Sequence, residues 1–151
     1  MRIYINSCKS IFFLLILYLS QYSAIAITNE EANDLYKSGL ILFNSGKYED
    51  SIVKLENAID LEPNVAKYHH ILAKSYGRQA EKSGWFKAIK LAKKTLAHLE
   101  IAAKLDNENI EILSDLMEYY LEAPMFLGGS AKKANQIDSK IKDIRIKSLN
   151  N

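Results

Sequence analysis

The sequence predicts an all-α fold, a short solenoid of about three antiparallel helix pairs that follows an N-terminal signal peptide. Residues 32–65 hold small and apolar residues at the spacing of two packed helices. The same pattern returns more loosely over residues 66–109 and 110–145, and the middle unit is ten residues longer than the first. One helix pair cannot bury its own apolar face, so neighbouring pairs must stack on it.

The first unit, ANDLYKSGLILFNSGKYEDSIVKLENAIDLEPNV, has the residue types that a helix pair requires. Ser45-Gly46 predicts the turn between the two helices, and Tyr48 opens the second helix. Because paired helices approach closely where they cross, small side chains must occupy the crossing point. Gly39 and Ser51 supply those small side chains.

The second and third units keep this plan with departures. The second opens at Ala66, and its extra length predicts two longer helices around a turn at Ser83-Gly84. The third opens at Ile110, and Pro124 ends its first helix because proline has no backbone N–H to donate. The last helix places lysines on one side, and on the other an apolar face made of Ala134, Ile137, Ile141 and Ile144.

The glycine, small, aromatic and proline positions of residues 32–65 together resemble the tetratricopeptide repeat (TPR) family. The phrase EYYLEAPMFLGGSAKKA, which follows the enlarged second unit, resembles exported bacterial proteins of that family. The resemblance implies an α-solenoid in which the first helices of successive repeats line a concave groove. It also implies protein binding as the function, with no specific activity attached.

Residues 1–26 are expected to be an export signal, followed by a repeat domain over residues 27–151. Arg2 and Lys9 give a basic start, residues 11–19 (IFFLLILYL) form an apolar core, and small residues precede a cleavage site after Ala26. We therefore expect an exported protein, placed in the periplasm, with secretion as an alternative. Retention as a membrane anchor stays open, although the apolar core is about half the ~20 residues that span a bilayer.

Composition excludes several classes of function. Cys8 is the only cysteine and lies inside the predicted signal, so the mature chain offers no disulfide, thiolate nucleophile or thiolate ligand. Without Arg2 and Lys9, eighteen basic residues balance eighteen acidic ones, which argues against nucleic-acid binding. The charges still alternate in blocks, because residues 74–104 hold eight bases and two acids whereas residues 105–129 hold six acids and no base.

The sequence has no motif of a catalytic site. It lacks a phosphate-binding glycine loop with its lysine, a His-Glu-x-x-His pair and a Gly-x-Ser-x-Gly elbow. The three histidines are His69, His70 and His98, and the first two are helix neighbours that point about 100° apart and cannot easily share an ion. We therefore expect no enzyme activity, no cofactor, no metal site and no small-molecule substrate.

The resemblance assigns groove positions residue by residue. The first repeat contributes apolar side chains, and the third contributes the acids Glu111, Asp115, Glu118 and Glu122. The second contributes a basic stripe, which consists of Lys67, His70, Lys74 and Arg78. The family's clamp for a peptide C-terminus is not matched, because its lysine and asparagine positions hold Tyr36 and Leu40. The residues predicted to bind a peptide or protein partner are Tyr36, Leu40, Phe43, Lys67, His70, Lys74 and Arg78.

Three features allow two interpretations each. The basic stripe either attracts an acidic segment of a partner or pairs with the acids of the third repeat. Tyr36, Leu40 and Phe43 either form an exposed interaction patch or lean on the second repeat. Trp85-Phe86 either clasps the extended helices locally or forms an apolar tip that touches a membrane or a partner.

These observations together predict a non-catalytic, exported adaptor or scaffold that binds a protein or peptide segment in its concave groove. The alternative is a structural subunit of an envelope assembly, held by its convex face and Trp85-Phe86, or by an uncleaved N-terminal anchor. Contact with a membrane is expected through the signal segment alone, if that segment is retained.

Overall fold

The structure is a computed structural model that describes residues 29–149. Within this range it contains six α-helices and no strand, so the predicted all-α fold is confirmed. The predicted signal at residues 1–26 lies outside the described residues. The elements are α1 over residues 29–44, α2 (Tyr48–Leu61), α3 (Ala66–Glu81), α4 (Trp85–Leu105), α5 (Ile110–Glu122), a short 3₁₀ turn (Met125–Leu127) and α6 (Ala131–Leu149).

The helices form three consecutive antiparallel pairs. Helix α3 packs against α2 and α4, and α4 packs in turn against α5, so the pairs stack as predicted. The predicted helix starts at Tyr48, Ala66 and Ile110 are confirmed. Among the described helices none is long and apolar enough to cross a membrane.

Small residues hold the first crossing together. A Cβ added to Gly39 would lie 2.7 Å from Leu55 Cγ, so only glycine allows this approach without a shift. The Ser51 hydroxyl donates a hydrogen bond to the Gly39 carbonyl at 2.8 Å and lies 3.0 Å from the Ser75 hydroxyl. Ser51 and Ser75 are both fully buried, and they join α1, α2 and α3 at one polar point.

The extra length of the second unit lies mostly in α4. Ser51 of α2 and Thr95 of α4 occupy equivalent buried positions. Tyr48, the first residue of α2, lies three residues before Ser51, so its counterpart in α4 is Ala92. Helix α4 begins seven residues before Ala92, and α3 continues three residues past Arg78, the counterpart of the last residue of α1. The hairpin of the second unit therefore extends beyond the two units that flank it.

A similar triad of side chains joins each pair of successive repeats. At the first junction Tyr76 of α3 donates a hydrogen bond to the Glu56 carboxylate of α2, and the Lys94 ammonium of α4 lies 2.9 Å from the Tyr76 oxygen. At the second junction the same roles fall to Glu100, Tyr120 and Lys133. Burial, followed by the bond to the neighbouring carboxylate, raises the pKa of Tyr76 and of Tyr120, so both hydroxyls remain donors.

In the third pair the end of α5 was predicted from the sequence, and the cap at its start was not. Helix α5 ends at Glu122, two residues before Pro124, as predicted. The Asn109 side chain caps its start by accepting hydrogen bonds from the backbone N–H groups of Glu111 and Ile112. That cap was not predicted. In α6 the expected apolar face is confirmed, with Ala134 and Ile141 buried.

Candidate functional site: the concave groove

Side chains of α1, α3 and α5 meet along one face, as a groove lined by the first helices requires. Tyr36 of α1 stacks on Tyr68 of α3, with 5.0 Å between the ring centroids. Between α3 and α5, His70 Nε2 lies 2.7 Å from Asp115 Oδ2. The charged and aromatic positions assigned from the sequence are therefore neighbours in space.

The apolar side of the groove is half-buried. Tyr36, Leu40 and Phe43 pack against the buried cluster of Leu55, Ile71, Leu72, Tyr76 and Leu91, so the three side chains lean on the second repeat. Burial, with a smaller contribution from the Glu111 charge, raises the pKa of Tyr36. Of the two interpretations, an extended exposed patch is wrong, and what these residues offer a partner is a partial apolar wall.

Two members of the basic stripe are paired internally. The Lys74 ammonium lies 3.4 Å from Glu111 Oε1 and 3.6 Å from Asp115 Oδ2, and His70 is buried beside Asp115. Burial of the Asp115 carboxyl alone would raise its pKa. The hydrogen bond from His70 and the charge of Lys74 outweigh that effect and hold the pKa of Asp115 below its usual value. Both partners of Asp115, His70 and Lys74, are thus already used by the protein.

The other two members of the stripe are exposed and do not pair with the third repeat. The Lys67 ammonium lies over the rings of Tyr36 and Tyr68, at 4.9 and 5.5 Å from their centroids. Arg78 pairs with Glu81 one turn further along α3, at 3.2 Å. Internal pairing therefore describes His70 and Lys74, and it is wrong for Lys67 and Arg78.

His70, Glu111 and Asp115 bring three potential ligand atoms within 4.8 Å of one another. The sequence does not reveal this group, because the residues lie on two helices and no motif spacing connects them. Lys74 already places an ammonium between the two carboxylates and supplies the positive charge that they need. We therefore assign no metal to this group.

The remaining histidines form a hydrogen-bonded pair on the other side of α3. The Pro63 carbonyl can only accept, so His69 Nε2 donates to it at 2.9 Å, and His69 Nδ1 accepts from His98 Nδ1 at 2.9 Å. Burial and the nearby charges of His69 and Lys94 lower the pKa of His98 to about 4. The two rings thus form a hydrogen-bonded packing contact between α3 and α4.

The aromatic pair at the second turn is not a clasp. Trp85 is 68% exposed and Phe86 is 83% exposed, so neither ring covers the helices that it precedes. The interpretation of these residues as a local clasp is wrong, and the interpretation as an apolar tip agrees with the structure.

Comparison with known proteins agrees with this architecture. Residues 39–79 match a protein-family model described as TPR repeat. Residues 39–79 therefore belong to a tetratricopeptide repeat. The matched residues include the Gly39 crossing and all four residues of the basic stripe on α3. No curated protein matches the chain at a significant level. TPR repeats suggest a protein-binding adaptor or scaffold, and the family is typically non-catalytic.

Proposed function

We propose that this TPR protein is an exported, non-catalytic adaptor that binds an acidic segment of a partner protein along α3. The observation that carries the proposal is the division of the basic stripe. His70 and Lys74 contact acids of the third repeat, whereas Lys67 and Arg78 are exposed and make no ion pair with it. Lys67 is thus open to a ligand, and Arg78 can exchange its exposed partner on its own helix, Glu81, for a ligand carboxylate.

The spacing of these two positions sets the kind of segment that fits. Lys67 and Arg78 are eleven residues apart on α3, which is about 16 Å along a helix. An extended peptide covers this distance in roughly five residues. A segment with two carboxylates at that separation could make a charge-assisted contact at each end. Between them its side chains would lie against Tyr36 and Leu40.

The acids of α5 give the segment its place in the groove. Glu111 and Glu118 are exposed on the face that adjoins α3. Their charges would repel an acidic segment from α5 and favour its position over α1 and α3. The groove would therefore repel an acidic segment along its α5 wall and attract it along its α3 wall.

Charge reversal tests the proposal. The variant with Lys67→Glu and Arg78→Glu should bind labelled peptides with two acids about five residues apart at least about tenfold more weakly, since a hydrogen bond to a charged group contributes roughly 1.5–3 kcal/mol. Fluorescence anisotropy measures the affinity. The matched control is Lys93→Glu with Lys104→Glu, which makes the same change of charge at exposed positions of α4. Equal affinities of the two variants would exclude the groove as the binding site.

Export is the second part of the proposal and has its own test. The sequence of the mature N-terminus should begin near Ile27, because the signal is expected to be cleaved after Ala26. A protein that keeps Met1 in the cell would instead favour the alternative function, a structural subunit that is anchored in an envelope assembly. The exposed Trp85 and Phe86 are the observation that favours this alternative.

A further inference from the structure

Exposed apolar side chains gather at one end of the stack. The chain turns within each helix pair at the same end, because the first helices of successive pairs run parallel. At this end Trp85 and Phe86 are exposed, and so are Met125 (90%) and Phe126 (61%). We call these four residues the turn edge.

The two halves of the turn edge are connected through α4. The Tyr119 hydroxyl lies 2.9 Å from the Ala92 carbonyl and 3.0 Å from the Leu127 carbonyl, and its single proton is shared between the two acceptors. The 3₁₀ turn that carries Met125 and Phe126 is thereby held against α4 at Ala92. Trp85 precedes Ala92 by seven residues, which places it on the same helix face about 10 Å away. The four side chains therefore lie at the same end of the stack, with Trp85 projecting about 10 Å beyond the level of Ala92.

Positive charge surrounds the projecting half of this edge. Residues 78–94 hold six basic side chains and one acidic one. Three of the bases have acidic partners, because Arg78, Lys87 and Lys94 pair with Glu81, Glu49 and Glu56. Among residues 29–149 the remaining three make no ion pair, and these are Lys82, Lys90 and Lys93.

We propose that the turn edge docks the protein onto the surface of a membrane that contains anionic lipid. Indole and phenyl rings are favoured at the level of the lipid headgroups, and nearby lysines are attracted by anionic headgroups. A protruding aromatic tip would need a matching pocket in a protein partner, whereas a bilayer deforms around it. This contact is independent of the groove and adds to the membrane contact expected from the signal segment.

Trp85 makes the proposal directly measurable, because it is the only tryptophan in the sequence. Its emission reports the turn edge whatever else in the full chain touches lipid. With vesicles of phosphatidylcholine and phosphatidylglycerol we expect a blue shift that saturates with lipid. Partitioning into pure phosphatidylcholine vesicles should be weaker by a factor of about ten or more, since each lysine near an anionic surface adds attraction. Unchanged emission with anionic vesicles would overturn the proposal.

Matched variants separate docking from general hydrophobicity. Phe86→Ser should weaken partitioning into anionic vesicles about tenfold, because the variant has no phenyl ring at this position to bury in the membrane. Ile146→Ser is the control, since Ile146 is an exposed apolar residue fifteen residues past the start of α6 and so lies far along that helix from the 3₁₀ turn. Equal effects of the two variants would overturn the proposal. A blue shift that needs no vesicles and grows with protein concentration would also overturn it, and would indicate association with a second copy.

Discussion

Two glycines in the first helices of successive repeats have opposite surroundings. At Gly39 an added Cβ would lie 2.7 Å from Leu55 Cγ and 3.0 Å from Leu55 Cδ2, and Leu55 is completely buried. At Gly77 an added Cβ would meet Thr95 no closer than 3.8 Å, which is ordinary contact. The first glycine is therefore required by packing, whereas the second is a weak point of its helix.

Alanine substitutions should change stability in opposite directions at these two positions. Gly39→Ala is expected to lower the free energy of unfolding by about 1–2 kcal/mol, because overpacking outweighs the gain in helix propensity. Gly77→Ala should raise it by about 0.5–1 kcal/mol, because alanine gains helix propensity without a clash. Urea unfolding followed by circular dichroism measures both. Changes of the same sign would contradict the packing described at Gly39.

At the scale of the elements, the triads of glutamate, tyrosine and lysine determine how successive repeats are joined. Glu56 and Glu100 are 44 residues apart, as are Tyr76 and Tyr120. The outer helices lack the complementary groups, since the position in α6 equivalent to Glu100 is Ser139. The triads are therefore features of the two junctions rather than of every repeat.

Coupling between mutations should follow these junctions. Tyr76→Phe removes the donor to Glu56 and is expected to lower the free energy of unfolding by about 1–2 kcal/mol. A double-mutant cycle should show coupling between Tyr76→Phe and Glu56→Gln. The control pair is Tyr76→Phe with Glu100→Gln, which lie in different triads and should be additive. Equal coupling in both pairs would show that the two mutations act through general destabilisation of the stack.

The sequence predicted the elements better than the contacts between them. Helix starts such as Tyr48 and Ala66 depend on local patterns, so they could be read directly. The ion-pair partner of Arg78 could not be predicted from the sequence. Glu81, one turn away on α3, competes with the acids of α5, and the distance to those acids depends on how α3 and α5 are aligned. The exposure of Trp85 stayed open for a similar reason, since periodicity does not show whether a longer hairpin covers its own tip.

At the scale of the whole molecule, burial decreases from the second repeat towards the C-terminus. Helix α3 buries eight of its sixteen residues, whereas α6 buries only Ala134 and Ile141 among nineteen. In a solenoid each unit contacts only its neighbours, so stability is approximately a sum of local terms. The last helix therefore packs mainly on α5, with Lys133 reaching Glu100 of α4, whereas α3 is held by α2 on one side and α4 on the other.

Hydrogen exchange should reveal this gradient. Amides of α3 are expected to exchange most slowly, and those of α6 beyond Ile141 should show little protection, because that segment has no buried side chain. Ile141→Ala should remove protection from α6 and reduce it in α5 while α3 keeps most of its own. The matched change Leu72→Ala lies in the central cluster and should cost about 2–5 kcal/mol and lower protection in every helix. If Ile141→Ala lowered the protection of α3 as much as that of α6, the stack would unfold as one cooperative unit, and the additive description of its stability would be wrong.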